Sequence, residues 1–388
     1  CYNTRRFSMS KAAELANLIG NINAGGGGVN RNVIINGNMN VAQRQISVTG
    51  LGADADTIPT CDRWYHSAQS TAGRFTMTQD SSAPSGFANS LKLACTTADT
   101  SIAAGEVLLL RQKLEGQNVQ AFAKGTADAK PYALSFYVKG NASATYVAEL
   151  MDNDNSNRHV NKTFSVTTDW TRVELSLPAD TTGALDDDNA NSLDLNIWLH
   201  AGSNRTSGSL QTTWGALAQA NRCVGISSFF SSTSNTFFIT GVQLEVGQNP
   251  TEFEHEPFER TLLKCQRYYE HCYDVLGTHF PADDVAFGNG MTLHNANCWA
   301  DDNLRVQVHF LVRKRAVPTT TAYSVSGLGN GSTANRWDWY DGGWGEMTGA
   351  TNMAETTAVG IHVSLIDADA GNTKAYMAAG GWDADAEL

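Results

Sequence analysis

The feature that most constrains this chain is strict alternation of apolar and polar residues in several separate runs. Leu134, Phe136 and Val138 alternate with Ser135, Tyr137 and Lys139; Val173, Leu175 and Leu177 alternate with Arg172, Glu174 and Ser176. Leu193, Leu195, Ile197 and Leu199 interleave with Asp194, Asn196 and Trp198, and Phe238, Val242, Leu244 and Val246 read as the inward face of a closing strand. A period of two places every second side chain on one face of a strand, and it cannot put those residues on one side of a helix. Each half-buried strand needs a second sheet to cover it. The expected fold is therefore all-β: a jelly-roll β-sandwich over residues 30–258, followed by a smaller C-terminal β-sandwich over 259–388.

In that second region Val306, Val308, Phe310 and Val312 form one run, and Val359, Ile361, Val363 and Leu365 another. Plentiful Gly (35) and sparse Pro (8) suit a β protein with many turns. Residues 1–29 differ. "SKAAELANLIGNIN" from Ser10 to Asn23 reads as a helix with Leu15, Leu18, Ile19 and Ile22 on one face, and Gly25 to Gly28 follow as a flexible break. One apolar stripe before a glycine linker points to oligomerisation or attachment to another protein, with packing on its own domain as the alternative.

A net charge of −12 argues against nucleic acid as a partner, because phosphate contact needs a basic surface. No run approaches the roughly 18 apolar residues that span a bilayer, so no membrane insertion is expected. The seven cysteines include no C-x-x-C pair, which indicates neither a zinc site nor a complete disulfide framework. Reduced, buried thiols are the simplest reading, as in a protein folded in a cytoplasm.

The junction from Thr240 to Glu270, "TGVQLEVGQNPTEFEHEPFERTLLKCQRYYE", combines a strand, a turn, an acidic-aromatic strap and a short helical connector. It resembles the segment of bacteriophage tail-fibre and receptor-binding proteins in which a jelly roll, itself similar to carbohydrate-binding modules, ends in "QLE-G--PT-FE" and continues through "CQRYY". "NRNVIINGNMNVAQR" at Asn30, "CDRW" at Cys61, "RQKLEG" at Arg111, "ALSFYVKG" at Ala133, "VRKRAVPT" at Val312, "NRW" at Asn335 and the ending "WDADAEL" resemble further markers of that group, in order. "MSKAAELA" at Met9 resembles the start of its short fibre proteins, and what precedes Met9 is left open. The resemblance implies a virion location, assembly in the host cytoplasm, self-association as a homotrimer, contact with other virion proteins through the N-terminal helix, and adhesion to a host cell-surface glycan.

The candidate glycan site lies in "ANRWDWYDGGWGEM", Ala334 to Met347. Sugars present flat C–H faces to aromatic rings and hydroxyls to carboxylates, so Trp339, Tyr340 and Trp344 would stack while Asp338, Asp341 and Glu346 accept hydrogen bonds. Packing within the protein is the alternative, and it is the preferred reading for Trp337. Trp198 and Trp214 are secondary candidates, with a subunit contact as the favoured role. Two acidic loops, Asp152 to Asn157 and Asp186 to Asn191, raise calcium, but Thr163 stands where an EF-hand needs Glu, and solvated turns are preferred; no metal and no cofactor are expected. No catalytic signature is present, and the pairs Asp283/Asp284 and Asp301/Asp302 are adjacent, hence on opposite strand faces. A binding protein, not an enzyme, is expected, with a structural virion adaptor or decoration protein as the alternative and a polysaccharide depolymerase, its carboxylates drawn from different strands or subunits, behind it.

Overall fold

The computed structural model describes Ala16, Ile19 and residues 30–53, 56–272, 292–300, 303–323, 337–340, 344–346, 356–366 and 376–388. Ala16 and Ile19 are helical, and Ile19 is 49 % exposed, whereas Leu15, Leu18 and Ile22 lie outside the described residues, as do Asp283, Asp284, Asp301 and Asp302. The chain divides into two compact units. The first holds residues 46–257 with the preceding segment to Asn40 and Leu388; the second holds Phe258–Glu387 together with Val41–Gln45, five residues that the sequence reading had assigned to the jelly roll.

The first unit is a β-sandwich of jelly-roll type. One sheet runs in the order β1 (Ser47–Leu51), β3 (Arg74–Asp80), β4 (Ser90–Thr97), β11 (Thr236–Val246), β6 (Tyr132–Gly140), β9 (Thr171–Leu177). The other runs β2 (Tyr65–Gln69), β5 (Val107–Glu115), β10 (Asn191–Ala201), β7 (Ala144–Asp152), β8 (Arg158–Val166). Every pairing is antiparallel. Leu134, Phe136, Val138, Val173, Leu175 and Leu177 meet Leu193, Leu195, Ile197 and Leu199 in a single apolar core, as the alternation requires.

β11 departs from the expected pattern. The inward residues are Phe237 and Ile239 before the register shift between Thr240 and Gln243, then Val242, Leu244 and Val246 after it. Phe238 therefore lies on the outer face. The cause is a bulge at Gly241, whose φ of +63° suits glycine and whose absent Cβ leaves room for Phe87 Cζ, which an added carbon would meet at 2.7 Å.

Past the bulge, the outward pair Gln243 and Glu245 is fully buried because it holds the exit strap. The Glu245 carboxylate accepts the Thr251 N–H and hydroxyl, and Gln243 accepts the Glu254 N–H. Glu254 in turn accepts the backbone N–H groups of Asn30 and Asn32. The "QLE…PT-FE" pattern is thus a polar clasp that closes the sandwich by tying its exit strap across β11.

In the second unit a helix, α2 (Phe258–Gln266; α1 is the short turn Ser203–Thr206), leads into β12 (Tyr269–His271). Thr261, Cys265 and Gln266 form its buried side, and Tyr268 and Tyr269 are buried just after it. The long strand β19 (Tyr376–Asp385) organises the rest. Its first half pairs with β13 (Thr292–Ala300) and β16 (Asp338–Tyr340), and its second half with β12 and β15 (Thr319–Tyr323). β14 (Asn303–His309) joins β13 to β18 (Gly360–Ile366), and β17 (Trp344–Glu346) completes eight strands. Val306, Val308, Phe310, Ile361 and Val363 are buried. Val359, expected on the inward face, precedes β18 and is 51 % exposed.

Among the described residues no helix is long and apolar enough to cross a membrane. Cys61, Cys95, Cys223 and Cys265 are buried, and Cys272 is half-buried. Burial pushes the Cys61 and Cys223 thiols up, which makes them packing residues and not nucleophiles.

Candidate functional site

The aromatic stretch is rooted at Trp337, whose buried indole N–H donates to the Gly381 carbonyl on β19 at 3.1 Å. From there the chain enters β16, which is hydrogen-bonded to β19 on one side and to β17 on the other. Residues 338–340 and 344–346 are paired as the strands of a β-hairpin, since aromatic residues alternating with small and acidic ones fit a short strand well. β17 is the edge of the sheet.

The register sorts the candidates. Tyr340 stands opposite Trp344 and Asp338 opposite Glu346, while Trp339 stands opposite Gly345. Directly paired residues share a face and successive residues alternate, so positions 338, 340, 344 and 346 fall on one face and 339 on the other. Four of the six predicted residues are brought together, Trp339 is separated from them, and Asp341 lies outside the described residues. An aromatic cross-strand pair beside a carboxylate pair, two residues along on an edge hairpin, has the chemistry to stack a sugar ring and accept its hydroxyls.

The secondary candidates are occupied by the protein itself. Trp198 is buried and its indole N–H donates to Glu149 at 3.0 Å. Trp214 is half-buried, donates to the Pro178 carbonyl at 2.8 Å, and lies beside the Tyr132 ring and the Lys124 ammonium. Trp198 belongs to a covered outer face of the five-stranded sheet, where Val107, Leu109, Val147 and Ala201 pack with Cys223, Leu210 and Ile226 of the β10–β11 connection. Under that cover Glu149 is fully buried and bound by Arg222, Asn196, Trp198 and His159. Burial alone would raise the Glu149 carboxyl, but the Arg222 guanidinium holds it well below the usual carboxylate range.

The acidic loops are self-contained turns. Asp152 accepts the N–H groups of Asp154 and Asn155, and Asp154 accepts the Asp186 N–H, so the two loops meet. The cation between them and Asp180 is Lys124, a fully buried ammonium that donates to Asp152 and to the Thr182 and Gly183 carbonyls. Among the described residues no group of three or more His, Cys, Asp or Glu is arranged to hold a metal.

Sequence reasoning missed one half-buried cluster, on the outer face of the six-stranded sheet. Phe238 of β11 is paired with Lys92 of β4 and Lys139 of β6, and both ammonium groups lie over its ring, at 5.2 and 4.7 Å. Trp170 stands edge-on to Phe238 at 6.0 Å. Gly241, in the middle of β11, was the available signal that Phe238 faces out.

No family model matches this chain, and no curated protein does. Solved structures with some likeness include a family 4 carbohydrate-binding module, 12 % identical over 54 % of this chain and 97 % of that one, with a TM-score of 0.29. A sugar-binding protein described as putative, from Bacteroides thetaiotaomicron, is 12 % identical over 55 % and 99 %, also with a TM-score of 0.29. The enzymatically active domain of tailspike protein 4 from bacteriophage CBA120 is 13 % identical over 56 % of this chain and 21 % of that one, with a TM-score of 0.26. At such scores the likenesses carry no functional argument.

Proposed function

We propose that this chain is a bacteriophage fibre or spike subunit that adheres to a host-surface glycan through the edge hairpin of its second unit. The observation that carries the reading is the β16–β17 register, which pairs Tyr340 with Trp344 and Asp338 with Glu346. The ring pair stacks on the sugar and the carboxylates accept its hydroxyls; no bond is broken. Several copies on one particle convert weak single contacts into avidity. The test is binding of the purified chain to immobilised surface polysaccharide of susceptible cells, with product analysis alongside. Retention without release of oligosaccharide is expected; release on incubation makes the chain a depolymerase instead.

One observation favours a protein–protein role as well. Leu263, Leu311, Val317 and Val359 are exposed, Leu311 to 78 %. Hydrogen bonds tie residues 310–317 to the residue after α2, through Arg315 N–H to the Arg267 carbonyl, and to Val359, through the Phe310 N–H. These four residues thus belong to neighbouring segments. Self-association as a homotrimer, or docking on another virion protein as an adaptor or decoration, would cover them. Leu311→Glu leaves a trimer intact in analytical ultracentrifugation if other surfaces hold it, and dissociates it if this patch does.

A further inference from the structure

The first unit carries a second arrangement, independent of the hairpin, in which half-buried Lys92, Lys139 and Trp170 surround the buried ring of Phe238. Lys92, Phe238 and Lys139 stand side by side across three adjacent strands, and Trp170 closes the row, with the Lys139 ammonium 5.4 Å from its ring centre. The two lysines are not equivalent. Lys92 is paired with Asp80 at 3.1 Å, whereas Lys139 donates to the Ser82 hydroxyl at 3.0 Å and has no carboxylate partner among the described residues. On a chain of net charge −12, two ammonium groups on one aromatic row with a single carboxylate between them is an inversion of the local sign. The indole of Trp170 is half-buried and makes no hydrogen bond among the described residues.

We infer that this row binds an acidic sugar, a uronate residue of a polysaccharide, with the sugar ring against Trp170 and its carboxylate on Lys139. An ammonium already oriented over aromatic rings is partly desolvated and held in place, so a carboxylate meets a preorganised donor. A neutral sugar would leave that cation unmatched. Lys92, already neutralised by Asp80, contributes less.

Calorimetric titration of the whole chain separates the possibilities, using polygalacturonate, the same polymer with its carboxyls reduced to alcohols, and dextran sulfate as a generic polyanion. The wild type is expected to bind polygalacturonate and not the reduced polymer. Lys139→Met and Trp170→Ala should each weaken that binding about tenfold, about 1.4 kcal/mol by the affinity relation, with an unchanged unfolding midpoint. Lys139→Arg should retain it. Dextran sulfate should bind weakly and equally to the wild type and Lys139→Met. Absent binding of polygalacturonate by the wild type, equal binding of the reduced polymer, or full binding by Lys139→Met overturns the inference. The Tyr340→Ala/Trp344→Ala variant tells the two sites apart, because it should keep its polygalacturonate affinity whether or not the hairpin binds a host glycan.

Discussion

The covered face of the first unit and the hairpin of the second contain the same kinds of residue, tryptophan beside carboxylate on neighbouring strands, and use them in opposite ways. On β10 and β7, Trp198 and Glu149 bond to each other, and Arg222 descends from the β10–β11 connection to complete the set. The Trp198 indole N–H and both Glu149 oxygens are spent on the fold. On β16 and β17 the aromatic and acidic pairs sit at a sheet edge, and β17 has no further strand beside it among the described residues. Composition alone does not make a binding site; whether the same chain supplies the cover does.

The comparison can be broken most forcefully at Arg222. Arg222→Met removes the guanidinium from the buried Glu149 carboxylate, leaving it only Asn196, Trp198 and His159, and should lower the stability of the first unit by about 3–5 kcal/mol in denaturant titration. A loss below about 1 kcal/mol would mean that the cover is dispensable and the face accessible. In the second unit Trp337→Ala should cost about 3 kcal/mol through the lost buried ring. Tyr340→Ala, three residues on, should cost under about 1 kcal/mol if it is a surface residue. Similar losses for both would place Tyr340 in packing. Gly241→Ala should destabilise the first unit by roughly 2 kcal/mol, through both its positive φ and the Phe87 contact.

Acid sharpens the contrast between the units. Burial pushes the His271 imidazole down to about 4 from 6.5. Between those values the unfolded chain takes up a proton that the folded second unit refuses, so its stability falls as the pH drops from 6.5 towards 4. Glu149 behaves oppositely: its carboxyl is held below the ordinary 4.5, so its contribution is complete above that pH and is lost only beneath it. The second unit should weaken first on acidification, and His271→Gln should remove the upper part of that dependence. Unfolding midpoints followed from pH 7 to 4 by tryptophan fluorescence check both.

The sandwich was legible because alternation is a local property: Leu134 to Val138 and Leu193 to Leu199 read directly as core faces. The errors arose where a local period meets something that is not periodic. The bulge at Gly241 reversed the phase of β11, so Phe238 was assigned to the core and the lysine–aromatic row went unseen. Val359 precedes β18 instead of belonging to it. Trp198 faces outward as the alternation implies, yet the β10–β11 connection buries it, and no spacing rule announces that a chain will fold back over its own sheet. The hairpin was identified by composition, but only the strand register separates Trp339 from Tyr340 and Trp344.

The most direct test of the hairpin reading is equilibrium binding of the full chain to host surface polysaccharide, wild type against Tyr340→Ala/Trp344→Ala. The account predicts at least a tenfold loss of affinity, about 1.4 kcal/mol or more, with the unfolding midpoint of the second unit unchanged. Undiminished binding by the folded double variant would contradict it.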